Sequence, residues 1–191
     1  REHQEFLSTV EATAYENGFM IAGAARGARA ALPADDACVG IWEAMCVAAG
    51  KEAWLYTTRP GGRGVVRGRF SSGVLTLETP EGTCEAKLRI QGEHNVHNAT
   101  GAACAAIAAG VPLEAVRRGL EAFEALPGRG ARTTFGAFTL IDDAYNANPD
   151  SVRASMRMTA EAPRPRRNGG NRSAKRPLSS GNGRMGPQLR S

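Results

Sequence analysis

Beyond Met158 the sequence offers almost nothing to bury, and that limits what the chain can fold into before any motif is considered. Pro163-Arg164-Pro165-Arg166-Arg167-Asn168-Gly169-Gly170 and the Gly, Ser and Arg that follow cannot offset the entropy of their own ordering. Residues 159–191 therefore read as a disordered basic tail. The composition changes abruptly there, which reads as translation out of frame. The net charge of +5 divides at the same place. Arg157 to Ser191 holds nine Arg or Lys and one acid, Glu161, a balance of +8, which leaves 15 basic and 18 acidic residues before it, or −3. A nucleic-acid reading of the basic total thus rests wholly on the tail.

The remainder alternates helical and strand patterns, the grammar of an α/β fold. A helix is expected from about Glu2 to Asn17, stopped by Gly18, with Phe19-Met20-Ile21-Ala22 as a buried strand. Gly23 to Ala31 has no usable period, and Ile41 to Ala49 reads as a helix. Strands follow at Trp54–Tyr56 and Val65–Phe70, separated by the turn-rich Arg59–Gly64. Val74–Thr79 and Cys84–Ile90 form a hairpin around Pro80-Glu81-Gly82. Asn95–Ala109 and a stretch beginning at Pro112 are helices, the second with a stripe of Leu113, Val116, Leu120 and Phe123. Phe135–Ile141 is a strand leading through a polar loop into a helix from Asp150.

The longest apolar run, Ala102 to Ala109, is too short to span a bilayer, and no secretion signal precedes it. Cys38, Cys46, Cys84 and Cys104 form no Cys-x-x-Cys pair and read as free thiols in a reducing cytoplasm. The glycines at 61–64 are not followed by Lys-Ser/Thr, so they read as a turn rather than a phosphate cradle.

Two loops can carry chemistry. Asp142 and Asp143 end an apolar strand, where open α/β sheets place ligands, and Asn148-Pro149-Asp150 is a good helix start. The competing reading is a capped turn with solvated acids. Gly92-Glu93-His94-Asn95-Val96-His97-Asn98-Ala99 opens a helix backed by small residues, so a flat ligand could approach its backbone. Asn98 offers the donor and acceptor that an adenine edge pairs with. His94 and His97 lack a third metal ligand nearby, and polar capping is their default role.

In this order, Gly92–Asn98, Leu126-Pro127-Gly128-Arg129 and Asp142-Asp143-Ala144-Tyr145-Asn146-Ala147-Asn148-Pro149-Asp150-Ser151 resemble the Mur ligase family. The likeness spans roughly residues 1–158 and is specific over 92–151, with Pro33-Ala34-Asp35-Asp36-Ala37 the next best match. Tyr145–Pro149 is similar to the branch that adds D-alanyl-D-alanine. The resemblance implies the later part of a central ATPase domain over 1–126 and, over 127–158, the first strand, loop and helix of a Rossmann-like C-terminal domain. It implies ATP and Mg2+ as cofactors, UDP-N-acetylmuramoyl-tripeptide and D-alanyl-D-alanine as substrates, and a cytoplasmic enzyme that is monomeric at full length, with no membrane or nucleic-acid partner. Asn98 would touch adenine, Arg129 would contact ATP at the interdomain hinge, and Asp143 would hold the ribose. Tyr145, Asn146 and Asn148 would line the peptide site, and His3 would stand near the magnesium. No residue is singled out as catalytic.

Three departures bear on that expectation. No Gly-x-x-x-x-Gly-Lys-Ser/Thr is present, and Gly50-Lys51 is followed by Glu52, so this chain alone is expected to be inactive. Asn17 stands where the family places a carbamylated lysine, and an amide cannot form a carbamate. The basic tail replaces the expected strand and Gly-Asp loop. A start without Met, at Arg1, fits a fragment. The rival readings are another Mur-like ligase acting on folate or a different peptide, and a non-enzymatic module binding nucleic acid through the tail.

Overall fold

The computed structural model describes residues 7–89, 92–125, 127–128, 131–136, 138–145 and 149–161. Its elements are α1 (Val10–Gly23), β1 (Arg29–Pro33), α2 (Val39–Ala48), β2 (Glu52–Thr57), β3 (Val66–Ser71), β4 (Val74–Thr79), β5 (Gly82–Lys87), α3 (Glu93–Ala108), α4 (Leu113–Ala122), β6 (Ala131–Phe135), β7 (Phe138–Asp142) and α5 (Pro149–Glu161). The mixed α/β expectation holds. Strands β1 to β5 form one sheet in sequence order, parallel from β1 to β3 and antiparallel from β3 to β5. Strands β6 and β7 form a separate antiparallel pair. Pro33 is tolerated because β1 lies at a sheet edge.

Alternation along the strands sends side chains to two cores. Trp54, Val66, Leu75, Leu77 and Leu88 meet Val96, Ala99, Ala103, Cys104 and Ile107 of α3 and Val116 of α4. On the other face Leu32 and Leu55 meet Ile21 of α1 and Val39 and Cys46 of α2. α3 crosses β1, β2 and β3 on the first face. Close approach there depends on glycine. A Cβ on Gly68 would fall 2.2 Å from Thr100 Oγ1, and one on Gly101 would fall 2.7 Å from Tyr56 Cζ.

Several expectations are corrected. Gly18 does not stop the first helix; α1 runs through it to Gly23, so 19–22 is helical rather than a strand. The residue is glycine because a Cβ there would meet Met45 Sδ at 2.4 Å. β1 arises from a stretch without period, held by its pairing to β2. The single strand expected over 135–141 is two strands reversing at Gly136, whose φ is 57°. The hairpin turn is Pro80-Glu81, with Thr79 opposite Gly82. α5 runs to Glu161, three residues into the stretch read as tail; 162–191 lies outside the described residues, as do His3, Arg129, Asn146 and Asn148. Among the described residues no helix is long and apolar enough to cross a membrane.

Candidate functional site: a cleft between two helices and the β7 loop

Small side chains on two neighbouring helices leave a space that larger ones would fill. α3 presents Asn95, Asn98, Ala99, Ala102, Ala103 and Ala106, spaced three or four apart and hence on one face. α4 faces them with Ala115, Val116, Gly119 and Leu120. The cleft between them is about 580 Å³, within the range of small-molecule sites. Leu88 and Phe123 extend its apolar lining, while His94, Asn95, Asn98 and Asp143 supply the polar groups. Asn98 and Asp143, read from separate motifs, therefore line one space.

The two neighbouring acids have different surroundings. Asp142 accepts the Gly128 N–H at 3.0 Å and the Ala144 N–H at 3.3 Å, and the Tyr145 N–H donates to the Gly128 carbonyl at 2.9 Å. Asp142 thus fastens the 127–128 turn to the exit of β7. Asp143 faces the cleft and accepts a hydrogen bond from the Ser155 hydroxyl of α5. Ser155 has no distinguishing sequence signal beyond sharing a helical face with Ser151, Val152 and Thr159. The Tyr145 side chain is 68% exposed and is not part of the cleft lining.

His97 does not join His94 in the cleft. Its ring lies 5.0 Å from that of Tyr56, which stands near the carboxyl end of β2. Burial, followed by Cys104, Asp36 and Asp35, pushes the Tyr56 phenol up. Among the described residues no three His, Cys, Asp or Glu side chains cluster as a metal site. Asn17 lies exposed on α1. The residues present suit the base and sugar of a nucleotide: apolar walls for a flat ring, an amide for its edge and a steadied carboxylate for hydroxyls.

Residues 1–106, more than half of the chain, match the model of the Mur ligase middle domain. The UDP-N-acetylmuramoyl-tripeptide–D-alanyl-D-alanine ligase of Escherichia coli is 38% identical over 90 residues, 47% of this chain and 20% of that protein. The UDP-N-acetylmuramoyl-L-alanyl-D-glutamate–2,6-diaminopimelate ligase of Gloeobacter violaceus is 28% identical over 165 residues, 83% of this chain and 32% of that one. The crystal structure of MurF from Acinetobacter baumannii superposes with a TM-score of 0.73 at 27% identity, covering 82% of this chain and 34% of that one. The chain thus spans a fifth to a third of the length of these relatives. With the middle-domain match covering most of the sheet and much of α3, and the cleft built from the motif residues, this chain belongs to the Mur ligase family.

Proposed function

We propose that the chain is part of an ATP-dependent amide ligase of peptidoglycan synthesis, one that joins D-alanyl-D-alanine to a UDP-N-acetylmuramoyl-tripeptide in the cytoplasm. In this reading residues 1–126 are the later part of a central ATP-binding domain, and 127–158 open a Rossmann-like C-terminal domain. The observation that carries it is the cleft shared by Asn98 and Asp143. The Asn98 amide pairs with an adenine edge between the alanines of α3 and α4. Asp143, steadied by Ser155, accepts from ribose hydroxyls. By motif, Arg129 contacts ATP, Tyr145, Asn146 and Asn148 line the peptide site, and His3 stands near Mg2+, which would spread the charge of the transferred phosphoryl group.

The reaction transfers the terminal phosphoryl group of ATP to the tripeptide carboxylate, giving an acyl phosphate and ADP. The amine of D-alanyl-D-alanine attacks the acyl carbon, and the tetrahedral intermediate expels phosphate as the amide forms. The chain carries no Gly-Lys-Ser/Thr loop for the β- and γ-phosphates, so it is inactive by itself. A second reading, a ligase adding a different amino acid or peptide, is favoured by the likeness to the diaminopimelate ligase along most of the chain. Tyr145-Asn146-Ala147-Asn148-Pro149 favours the first.

Titrating ADP into isotope-labelled protein tests the nucleotide site. The Asn98 side-chain amide and the Ala102 and Ala106 methyls shift together, and Asn98→Ala weakens binding about tenfold, the worth of one or two hydrogen bonds. Shifts confined to the opposite face of the sheet, or an Asn98→Ala protein binding ADP like its parent, would reject the reading. Grafting residues 92–158 in place of the matching segment of a full-length diaminopimelate-adding relative tests the substrate. ADP release that depends on D-alanyl-D-alanine supports the first reading, and dependence on diaminopimelate selects the second.

A further inference from the structure

The turn after β2 plays no part in the cleft, yet it forms one wall of a second hollow. Arg59-Pro60-Gly61-Gly62 has the residues of a type II turn, with proline second and Gly61 third at φ 71°, closed by the Gly62 N–H donating to the Arg59 carbonyl at 3.0 Å. Thr57, 1% exposed, holds it from beneath. Its Oγ1 accepts the Arg59 N–H at 3.0 Å and donates to the Asp35 carboxylate at 2.7 Å. A Cβ on Gly62 would stand 2.4 Å from that oxygen, so glycine lets the turn lie this close. The other wall is β3. Arg67 and Arg69, two residues apart, point away from α3, while Gly68 between them packs against Thr100 on the α3 side.

The hollow measures about 290 Å³ and is bounded by this turn, Arg67, Arg69 and Glu78. Three arginines, Arg59, Arg67 and Arg69, line it beside one acid, Glu78, so basic side chains outnumber acidic ones among the lining residues. Glu78 is engaged with Arg69 at 2.6 Å, and Asp35 approaches Arg59 loosely at 3.8 Å. Among the described residues no carboxylate pairs with Arg67. The excess stands out because residues 1–156 as a whole carry −3.

We propose that this hollow binds a small phosphate anion at a site separate from the Asn98–Asp143 cleft. Its volume is at the lower end for ligand sites, which suits inorganic phosphate or one phosphate group of a larger molecule. Guanidinium forks carried by arginines on two walls match a tetrahedral oxyanion, whose oxygens point in several directions, better than a planar carboxylate. The stapled turn is already in place and loses little freedom on binding. With Arg69 68% exposed, binding is weak and falls as salt rises.

The test titrates inorganic phosphate into the full isotope-labelled chain at constant ionic strength and follows the amides of Gly61, Gly62 and Gly68. These three shift together and saturate. Arg67→Gln with Arg69→Gln weakens phosphate about tenfold or more, and Glu78→Gln tightens it. Both arginines are exposed, so the variants keep the parent's melting curve; if the double variant does not fold, each single one carries the test. Shifts scattered over every basic surface, an undiminished response in the arginine variants, or succinate binding as tightly as phosphate would each overturn the proposal.

Discussion

Cys104 shows at a single residue what burial does to an ionisable group. Its side chain is fully buried under α3, its thiol lies 3.5 Å from the Trp54 carbonyl, and burial pushes its pKa up to about 11. A folded-state pKa above the unfolded value means that folding favours the proton-bound form. The resulting stability is complete below the ordinary thiol range and is lost as pH rises through about 11. Urea unfolding at about pH 8 and about pH 10.5 therefore shows a fall in stability, shallower in Cys104→Ala. The slope does not vanish, because burial also raises Cys38, Cys46, Cys84 and Tyr56. An unchanged slope in the variant would show that the thiol is not protected as described. The sequence places Cys104 in an Ala-rich helical run, the setting of a small buried residue. Residue type and spacing alone do not separate Asp142 from Asp143; only the family resemblance singles out Asp143. Two adjacent identical acids take opposite directions from a strand end, and only the return of Gly128 to Asp142 and of Ser155 to Asp143 gives them different work.

At the scale of elements, patterns that depend on near neighbours were legible and those fixed by distant partners were not. The β4–β5 hairpin and the α4 stripe follow from local alternation and spacing. β1 does not: Arg29-Ala30-Ala31-Leu32-Pro33 has little strand preference and is held by its register with Glu52–Tyr56. Gly18 misled for a related reason, since what selects it is α2 packing against α1 rather than a helix end. The α3–β3 contact follows the same rule and can be tested. Thr100 is fully buried and its hydroxyl donates to the Val96 carbonyl at 2.8 Å, so it cannot swing aside without leaving that acceptor. Gly68→Ala places a methyl against it and costs about 1–3 kcal/mol. Thr100→Ala in the same chain removes the clashing oxygen and methyl and recovers part of that loss. A double-mutant cycle by chemical denaturation measures the coupling. Additive costs would mean that the strand shifts rather than meeting the helix.

For the whole molecule, the sequence foretold a mixed α/β body, because helical and strand patterns alternate along it. It did not foretell which surfaces would be left bare. Phe135, Phe138 and Leu140 on the β6–β7 pair are each more than half exposed, as is Met156 of the neighbouring α5. Phe138 and Leu140 lie two apart on one face of β7, and Leu140 and Met156 line the same broad hollow of about 970 Å³. Phe19 and Met20 form a second bare surface on α1, 63% and 78% exposed. Contiguous apolar surface of this kind favours association, and the chain spans only a fifth to a third of the relatives it matches. The expected behaviour is binding of an apolar dye such as ANS and concentration-dependent self-association, measured by sedimentation. Phe138→Ser with Leu140→Ser reduces both, because it interrupts the larger patch without touching either core. Phe19→Ser alone has a smaller effect on dye binding, since it breaks the smaller surface. A chain that sediments as a monomer at high concentration and takes up no dye would mean that these side chains are covered in solution.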